Sequence, residues 1–310
     1  MFTKITQWIE ENDPYYIQRI IFHKTLYGVV IIAFANWIFK PVSFYALFFT
    51  GILAANIHMG SMFKTNKQKE HAIFLPYITI IIFGTVLYLA FPFKIYFIMG
   101  VLSIFVLLHV LTYFYLNIYK PFVPLLLNCI LLINNSAPQE GSLQTVINFC
   151  SAMLLSLFLA LFIYKTFPNK YHLVVRRALI IYLKVLRQKV DNLINNKQES
   201  LYPSALMNIE VVQNHIHLVK RSLKKSYYRI FLFTRNIFMM LAVIPIQQDN
   251  STNQELLKIR DLLDNTIYAL KNKIALNDID FAINTNSKPV LYIYKNIHRI
   301  SSSWNFVCKK

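Results

Sequence analysis

The sequence predicts an all-α membrane protein in which six transmembrane helices precede a cytoplasmic helical bundle. Six mostly apolar runs between residues 20 and 167 contain no Asp or Glu, and Lys and Arg concentrate in every second gap between them. After Pro168 the hydrophobic pattern becomes amphipathic, as in water-facing helices. We therefore predict a cytoplasmic N-terminal segment at 1–19, a transmembrane domain at 20–167 and a cytoplasmic helical domain at 168–310.

Each apolar run is assigned to one crossing of the bilayer. A helix needs about 17–25 apolar residues to cross ~30 Å of hydrocarbon, since each residue advances ~1.5 Å. Four runs reach this length, whereas the second is marginal and the fifth is short unless it tilts. Six such helices in a soluble domain would leave it without polar surface. The runs are Ile20–Phe39, Pro41–Ile57, Ala72–Phe91, Ile95–Leu116, Pro121–Asn134 and Leu143–Phe167.

The distribution of cations predicts the orientation of the spans. Lys and Arg near a span are retained on the cytoplasmic side, and here they gather before the first run, in the second and fourth gaps and after the sixth run. Both termini are therefore expected in the cytoplasm, with the protein in the inner (plasma) membrane. The net charge of +18 fits loops that face anionic lipid headgroups, so the expected partner is the bilayer and not nucleic acid.

About four helices are predicted for the cytoplasmic domain. The first covers 171–195 and buries Leu179, Leu183, Leu186, Val190 and Leu193 on one face. The second runs from about 204 to 244, where Pro245 ends it. The third begins at Thr252, which has Glu255 at capping-box spacing. The last opens at Pro289 and buries Val290, Ile293, Ile297 and Ile300.

The apolar stretch 230–246 is long enough to be considered as a seventh crossing. It contains Arg235, which costs about 2.5 kcal/mol or more at the centre of a bilayer. A crossing there would also export the basic remainder of the chain. We therefore assign the stretch to the core of the cytoplasmic bundle.

The motifs of the common enzyme classes do not occur in the sequence. It contains neither a glycine-rich phosphate loop nor a dinucleotide fingerprint nor a paired-His zinc motif. His215 and His217 are two residues apart, so on a helix they point away from each other. The three cysteines have neither disulfide nor metal spacing. We predict no catalytic residue, no metal and no cofactor.

Polar side chains inside or at the ends of the apolar runs are the candidate substrate path. They either line a hydrated path through the spans or hydrogen-bond one helix to another. The second interpretation is preferred for the asparagines, and the two are balanced for a histidine deep inside a run. The candidates are Asn36, Asn56, His58, His109, Asn128 and Asn148.

The lack of acids in the runs constrains the transport mechanism. Carriers coupled to protons or sodium commonly hold the ion on a buried Asp or Glu. Here, coupling would have to use His109, His58 or acids at the rim such as Glu70 and Glu140. A path bordered by Lys and His suits a small organic anion better than a cation.

The basic run KRSLKKSYYR at 220–229 admits three interpretations. It forms a solvated helix face, contacts anionic headgroups or binds nucleic acid. Nucleic acid is the least favoured, since a lipid surface lies nearby. The candidates for lipid contact are Lys220, Arg221, Lys224, Lys225 and Arg229.

The segment TVINFCSAMLLSLFLALFIYKTFPNKYHLVVRRALIIYLKVLRQ resembles the corresponding part of the fusaric acid resistance and aromatic acid exporter (FUSC) family. In that family an asparagine-containing sixth span leads through a basic-proline turn into an Arg-containing cytoplasmic helix. The resemblance implies export of small aromatic or amphipathic carboxylates, driven by the proton gradient. Many members have two six-span halves, so this chain is expected to form a homo-oligomer or to join a second six-span partner.

Two function classes follow from these observations. The first is an inner-membrane transporter-like protein that exports organic anions, as the polar residues at depth and the FUSC resemblance indicate. The second is a noncatalytic membrane scaffold or regulator whose cytoplasmic helices bind other proteins. The low content of glycine, six residues in 310, favours the scaffold, since transporters often use glycine for close helix packing.

Overall fold

The structure is a computed structural model that describes residues 8–40, 66–90, 92–114, 143–168, 170–197, 202–245, 250–276 and 287–309. Regular secondary structure in these ranges is α-helical throughout, which confirms the predicted all-α class. The chain divides into two compact units. Residues 18–168 form what we call the apolar unit, and residues 1–17 with 169–310 form the bundle unit.

The helices of the apolar unit correspond to four of the predicted runs. Three stretches are long and apolar enough to cross a membrane, namely Ile17–Phe39, Lys69–Ala90 and Val146–Thr166. A shorter apolar stretch, Lys94–Leu107, matches the fourth run. The second and fifth runs lie outside the described residues, so the six-span arrangement stays a prediction. The helices are α1 (Ile17–Phe39), α2 (Asn66–Ala90), α3 (Lys94–Phe114) and α4 (Leu143–Thr166).

α2 packs closely against α4 in the opposite direction. The hydroxyls of Tyr77 and Ser156 share a buried hydrogen bond of 2.9 Å. Further along α2, Gly84 lies directly under the ring of Phe149, which precedes Ser156 in α4. Contacts that advance along α2 therefore retreat along α4, which makes the pair antiparallel. The missing side chain of Gly84 lets the two backbones approach, as small residues do between membrane helices.

α1 also runs antiparallel to α4. Tyr27 donates a hydrogen bond to the hydroxyl of Thr166 at 2.9 Å. A Cβ at Gly28 would lie 3.6 Å from Cδ1 of Ile163, and Ile32 clusters with Leu159. The buried positions of α1 recur every three or four residues and therefore form one helical face. They are Ile20, Lys24, Gly28, Ile32 and Ala35.

The bundle unit contains five long helices within its described residues. α5 packs against α6, α7 and α8, and α9 packs against α7 and α8. The five residues predicted for the inner face of the first helix are all buried, which confirms that prediction. The helices are α5 (Tyr171–Ile194), α6 (Tyr202–Ile216), α7 (Arg221–Val243), α8 (Asn250–Asn272) and α9 (Lys288–Cys308).

The prediction of one long helix from about 204 to 244 was wrong, because the chain breaks between α6 and α7. After Ile216 the backbone forms a turn in which the N–H of Leu218 donates to the carbonyl of His215 at 3.0 Å, and the side chains of Leu218 and Val219 are both buried. Lys220 is extended, with ψ 137°. α7 then ends at Val243, two residues before Pro245, as predicted.

The stretch 230–246 supplies core residues of the bundle. Ile230, Phe231, Ile237 and Leu241 are buried on one face of α7, while Arg235 is exposed on another. The assignment of this stretch to the bundle core is therefore confirmed by its packing.

The sequence predicted the N-terminal end of α9 correctly but not that of α8. α8 begins at Asn250, so Thr252 is inside the helix and the predicted capping box is wrong. Glu255 instead accepts a hydrogen bond from the hydroxyl of Tyr294 at 3.0 Å. α9 has Pro289 in its first turn and buries all four predicted residues.

The described N-terminal residues belong to the bundle unit. Tyr15 donates a hydrogen bond to Oδ1 of Asn208 in α6 at 3.2 Å. Glu10 lies 3.7 Å from the guanidinium of Arg177, which also stands over the ring of Tyr16 at 5.1 Å. These contacts join the chain before α1 to the beginning of α5 and to α6.

Replacing Gly84 with Ala is expected to destabilise the apolar unit. The new Cβ would overlap the ring of Phe149, and overpacking of this kind costs about 1–3 kcal/mol. Thermal unfolding of the purified full chain in detergent measures the effect. Gly28→Ala is the matched control, since its Cβ would meet Ile163 at an ordinary distance of 3.6 Å. Equal effects of the two substitutions would contradict the proposed close contact.

Replacing Asn305 with Ala is expected to release the segment after α8. The side-chain amide of Asn305 accepts a hydrogen bond from the N–H of Leu276 at 2.7 Å and donates one to the carbonyl of Leu276 at 2.8 Å. Loss of this side chain leaves both backbone groups unsatisfied, which costs about 1–3 kcal/mol for each group that is buried. Hydrogen exchange at the Leu276 amide should accelerate. Asn272→Ala removes only a bond to Tyr268 in its own helix and should leave that amide unchanged.

Candidate functional site

Two buried lysines meet at one end of the apolar unit. Lys24 of α1 is 3% exposed and Lys69 of α2 is 1% exposed. Their ammonium groups are close enough for the charge of one to act on the other. Burying a charge is costly unless it is compensated, so two buried lysines in one place are the first candidate for a functional site in the described residues.

Aromatic rings from the end of α4 complete this cluster. The Nζ of Lys24 lies 4.9 Å from the ring centroid of Tyr164 and 5.9 Å from that of Phe167. Both distances allow cation–π attraction, and Tyr27 packs its ring 5.8 Å from Phe167. We call Lys24, Lys69, Tyr164 and Phe167 the lysine site.

The lysine site carries more positive than negative charge. Residues 18–168 contain two acids, Glu70 and Glu140. Glu70 is half-buried and close enough to act on Tyr164, while Glu140 lies outside the described residues. The two lysines of the site thus outnumber the one acid described in this unit. The chemistry therefore suits a monoanion whose apolar part lies against aromatic rings.

Helical periodicity explains why these lysines point inward. Lys24 lies four residues before Gly28, on the face of α1 that contacts α4. Lys69 is followed at helical spacing by the buried Ile73, Tyr77 and Ile80. Each cation therefore belongs to a buried contact face of its helix.

The predicted path residues that the structure describes do not lie at the lysine site. Asn36 is half-buried in α1, next to Ala35, which clusters with Leu159 of α4. Asn148 is half-buried near the other end of α4 and accepts a hydrogen bond at 3.3 Å from Gln144 of the same helix, which tests neither interpretation. His109 is exposed on α3. Asn56, His58 and Asn128 lie outside the described residues.

The predicted lipid-contact residues lie at the beginning of α7. Lys220, Arg221, Lys225 and Arg229 are exposed, and Lys224 is half-buried. Within the described residues, no group of three or more His, Cys, Asp or Glu could hold a metal ion.

Comparisons with protein families, curated proteins and solved structures find no match to this chain. The functional argument therefore depends on the site itself.

Sequence reasoning missed the lysine site because it counted Lys24 and Lys69 only as cations that orient the spans. A signal was present, since Lys24 shares a helical face with Gly28 and Ala35. Small residues on one face of a membrane helix mark the side that contacts another helix. A cation on that same face is expected to be buried.

Replacing Lys24 with Met is expected to stabilise the ligand-free protein. Met keeps the length of the side chain and removes a buried charge that lies near the charge of Lys69, so the cost of burying that charge is removed. The melting temperature of the full chain in detergent should rise. Lys165→Met, at an exposed position of α4, should leave it unchanged, and a clear fall for Lys24→Met would contradict the buried-charge interpretation.

Proposed function

We propose that this chain is a six-span inner-membrane protein, with both termini in the cytoplasm, that exports small aromatic or amphipathic organic anions. The observation that carries the proposal is the lysine site, in which two buried cations from different helices lie beside aromatic rings. The resemblance to the FUSC family supports a carboxylate as the anion.

The directions of the described helices support the six-span arrangement. In an alternating order the first and third spans run one way, and the fourth and sixth run the other way. α1 and α2, from the first and third runs, are both antiparallel to α4, from the sixth run. α3 follows α2 after a short turn in which the N–H of Phe93 donates to the carbonyl of Ala90 at 2.9 Å. It packs back on α2, with Gly100 beside Leu87.

The position of the lysine site suits uptake from the cytoplasm. Lys24 and Lys69 lie near the beginnings of α1 and α2, and Tyr164 lies near the end of α4. The positive-inside rule assigns these three helix ends to the cytoplasmic side. An exporter takes its substrate from that side, and the residual positive charge attracts the carboxylate.

Assembly and coupling complete the proposal. One six-span half encloses a path only with a second half, so we propose a homo-oligomer or a second six-span partner. Glu70, beside Lys69, is the rim acid best placed to exchange a proton during transport. The apolar side chains exposed along α1, such as Phe22, Val30 and Phe34, then face lipid or the partner half.

The transport proposal is tested in cells that lack or overproduce the protein. After loading with a radiolabelled aromatic carboxylate such as benzoate, overproducing cells should lose the label faster than cells with an empty vector. Lys24→Met and Lys69→Met should each reduce the efflux rate by about tenfold or more, because a charge-assisted contact to a carboxylate contributes about 1.5–3 kcal/mol.

The matched control is Lys165→Met, an exposed lysine near the same end of α4, which should transport normally. Surface amounts of all variants are compared by biotinylation of whole cells. Efflux that is equal with and without the protein would favour the noncatalytic scaffold. Efflux of a cationic dye in preference to benzoate would contradict an organic-anion substrate.

A further inference from the structure

The exposed side of α7 is basic over its first two turns. Arg221, Lys225, Tyr228 and Arg229 are exposed, and their spacing of three or four residues places them along one side of the helix. The opposite side is buried in the bundle core. Arg235 extends the exposed basic residues further along the helix.

α9, which packs directly against α7, presents a second exposed stripe. Lys288, Tyr292, Lys295, Arg299 and Phe306 are exposed and recur at helical spacing. Aromatic rings therefore lie among the cations along the helix, and Phe306 is 47% exposed. We call the exposed residues of α7 and α9 together the basic face.

The charges of the bundle unit are sorted between its helices. α7 contains five Lys or Arg and α9 contains three, and neither contains an Asp or Glu. The acids of the five described helices all belong to α5, α6 and α8, where several form ion pairs. The cations of the basic face thus lack acids on their own two helices. The acids are Asp191, Glu210, Glu255, Asp261 and Asp264.

The tyrosines beneath the basic face do not offset its charge. Burial raises the pKa of Tyr227 to about 12. Burial, followed by the hydrogen bond to Glu255, raises the pKa of Tyr294 above its ordinary value. Both phenols therefore stay neutral at physiological pH, and the positive potential of the two helices is not reduced from below.

We propose that the basic face binds anionic lipid headgroups at the membrane surface. Lys and Arg near such a surface gain from its negative potential. Tyr and Phe between them suit the headgroup region, where one end of a side chain is apolar and the other is wet. The inference extends the predicted contact at 220–229 to α9. It uses the membrane location in the proposed function and does not depend on transport.

The test uses the full chain in lipid nanodiscs, with a nitroxide spin label at Ser302→Cys on the exposed side of α9 and the native cysteines replaced by Ala. With about 30 mol% phosphatidylglycerol, collisions of the label with a water-soluble nickel chelate should fall at least about threefold relative to pure phosphatidylcholine. Addition of about 0.5 M NaCl, which shortens the Debye length to roughly 4 Å, should restore them.

Two charge-reversal variants are compared in the same nanodiscs. Lys295→Glu with Arg299→Glu should abolish the lipid effect, whereas Lys258→Glu with Lys271→Glu on α8, which changes the net charge equally, should leave it intact. A label that is equally accessible in neutral and anionic discs would overturn the proposal. Protection by an added RNA oligonucleotide, without protection by anionic lipid, would overturn it in favour of nucleic acid. If benzoate efflux is equal with and without the protein while anionic lipid still protects the label, only the transport proposal is refuted.

Discussion

The close approach of α2 and α4 at Gly84 sets the register on which the lysine site depends. From the contact of Gly84 with Phe149, a step of seven residues back along α2 and forward along α4 reaches the hydrogen bond of Tyr77 with Ser156. A further step of eight residues on each helix reaches Lys69 and Tyr164. The two helices advance equally at ~1.5 Å per residue, so packing in the middle of the pair determines which side chains meet at its end.

The two groups of cations in this protein differ physically. Lys24 and Lys69 are almost fully buried, so salt screens their electrostatic interactions little. The side chains packed around them determine these interactions instead. The cations of α7 and α9 face solvent, where a single charge contributes little and only a set of them gives appreciable attraction. One arrangement suits recognition of a single small anion, and the other suits an extended anionic surface.

Much of the bundle could be predicted from the sequence because long amphipathic periods specify which side of a helix is buried. Leu179 and Leu183 in α5, and Ile293 and Ile297 in α9, were identified in this way and are fully buried. The break between α6 and α7 could not be predicted from the sequence, because Leu218 and Val219 continue the apolar pattern and only tertiary packing places both of them in the core. The inward direction of Lys24 was missed for a different reason, since charge patterning shows only the side of the membrane, whereas the small residues Gly28 and Ala35 on the same helical face mark the contact with another helix.

The lack of carboxylates in the predicted spans is consistent with export of a monoanion. A carrier that accumulates its substrate must bind a coupling ion, and buried acids usually hold it. In addition to proton exchange at Glu70, outward movement of one negative charge is favoured by a membrane potential that is negative inside, by about 2.3 kcal/mol per 100 mV. In the proposed transporter, cations at the cytoplasmic end would collect the anion and release it toward the more positive side. In that proposal Lys24 and Lys69 supply the positive charge, and acids placed among them would offset it.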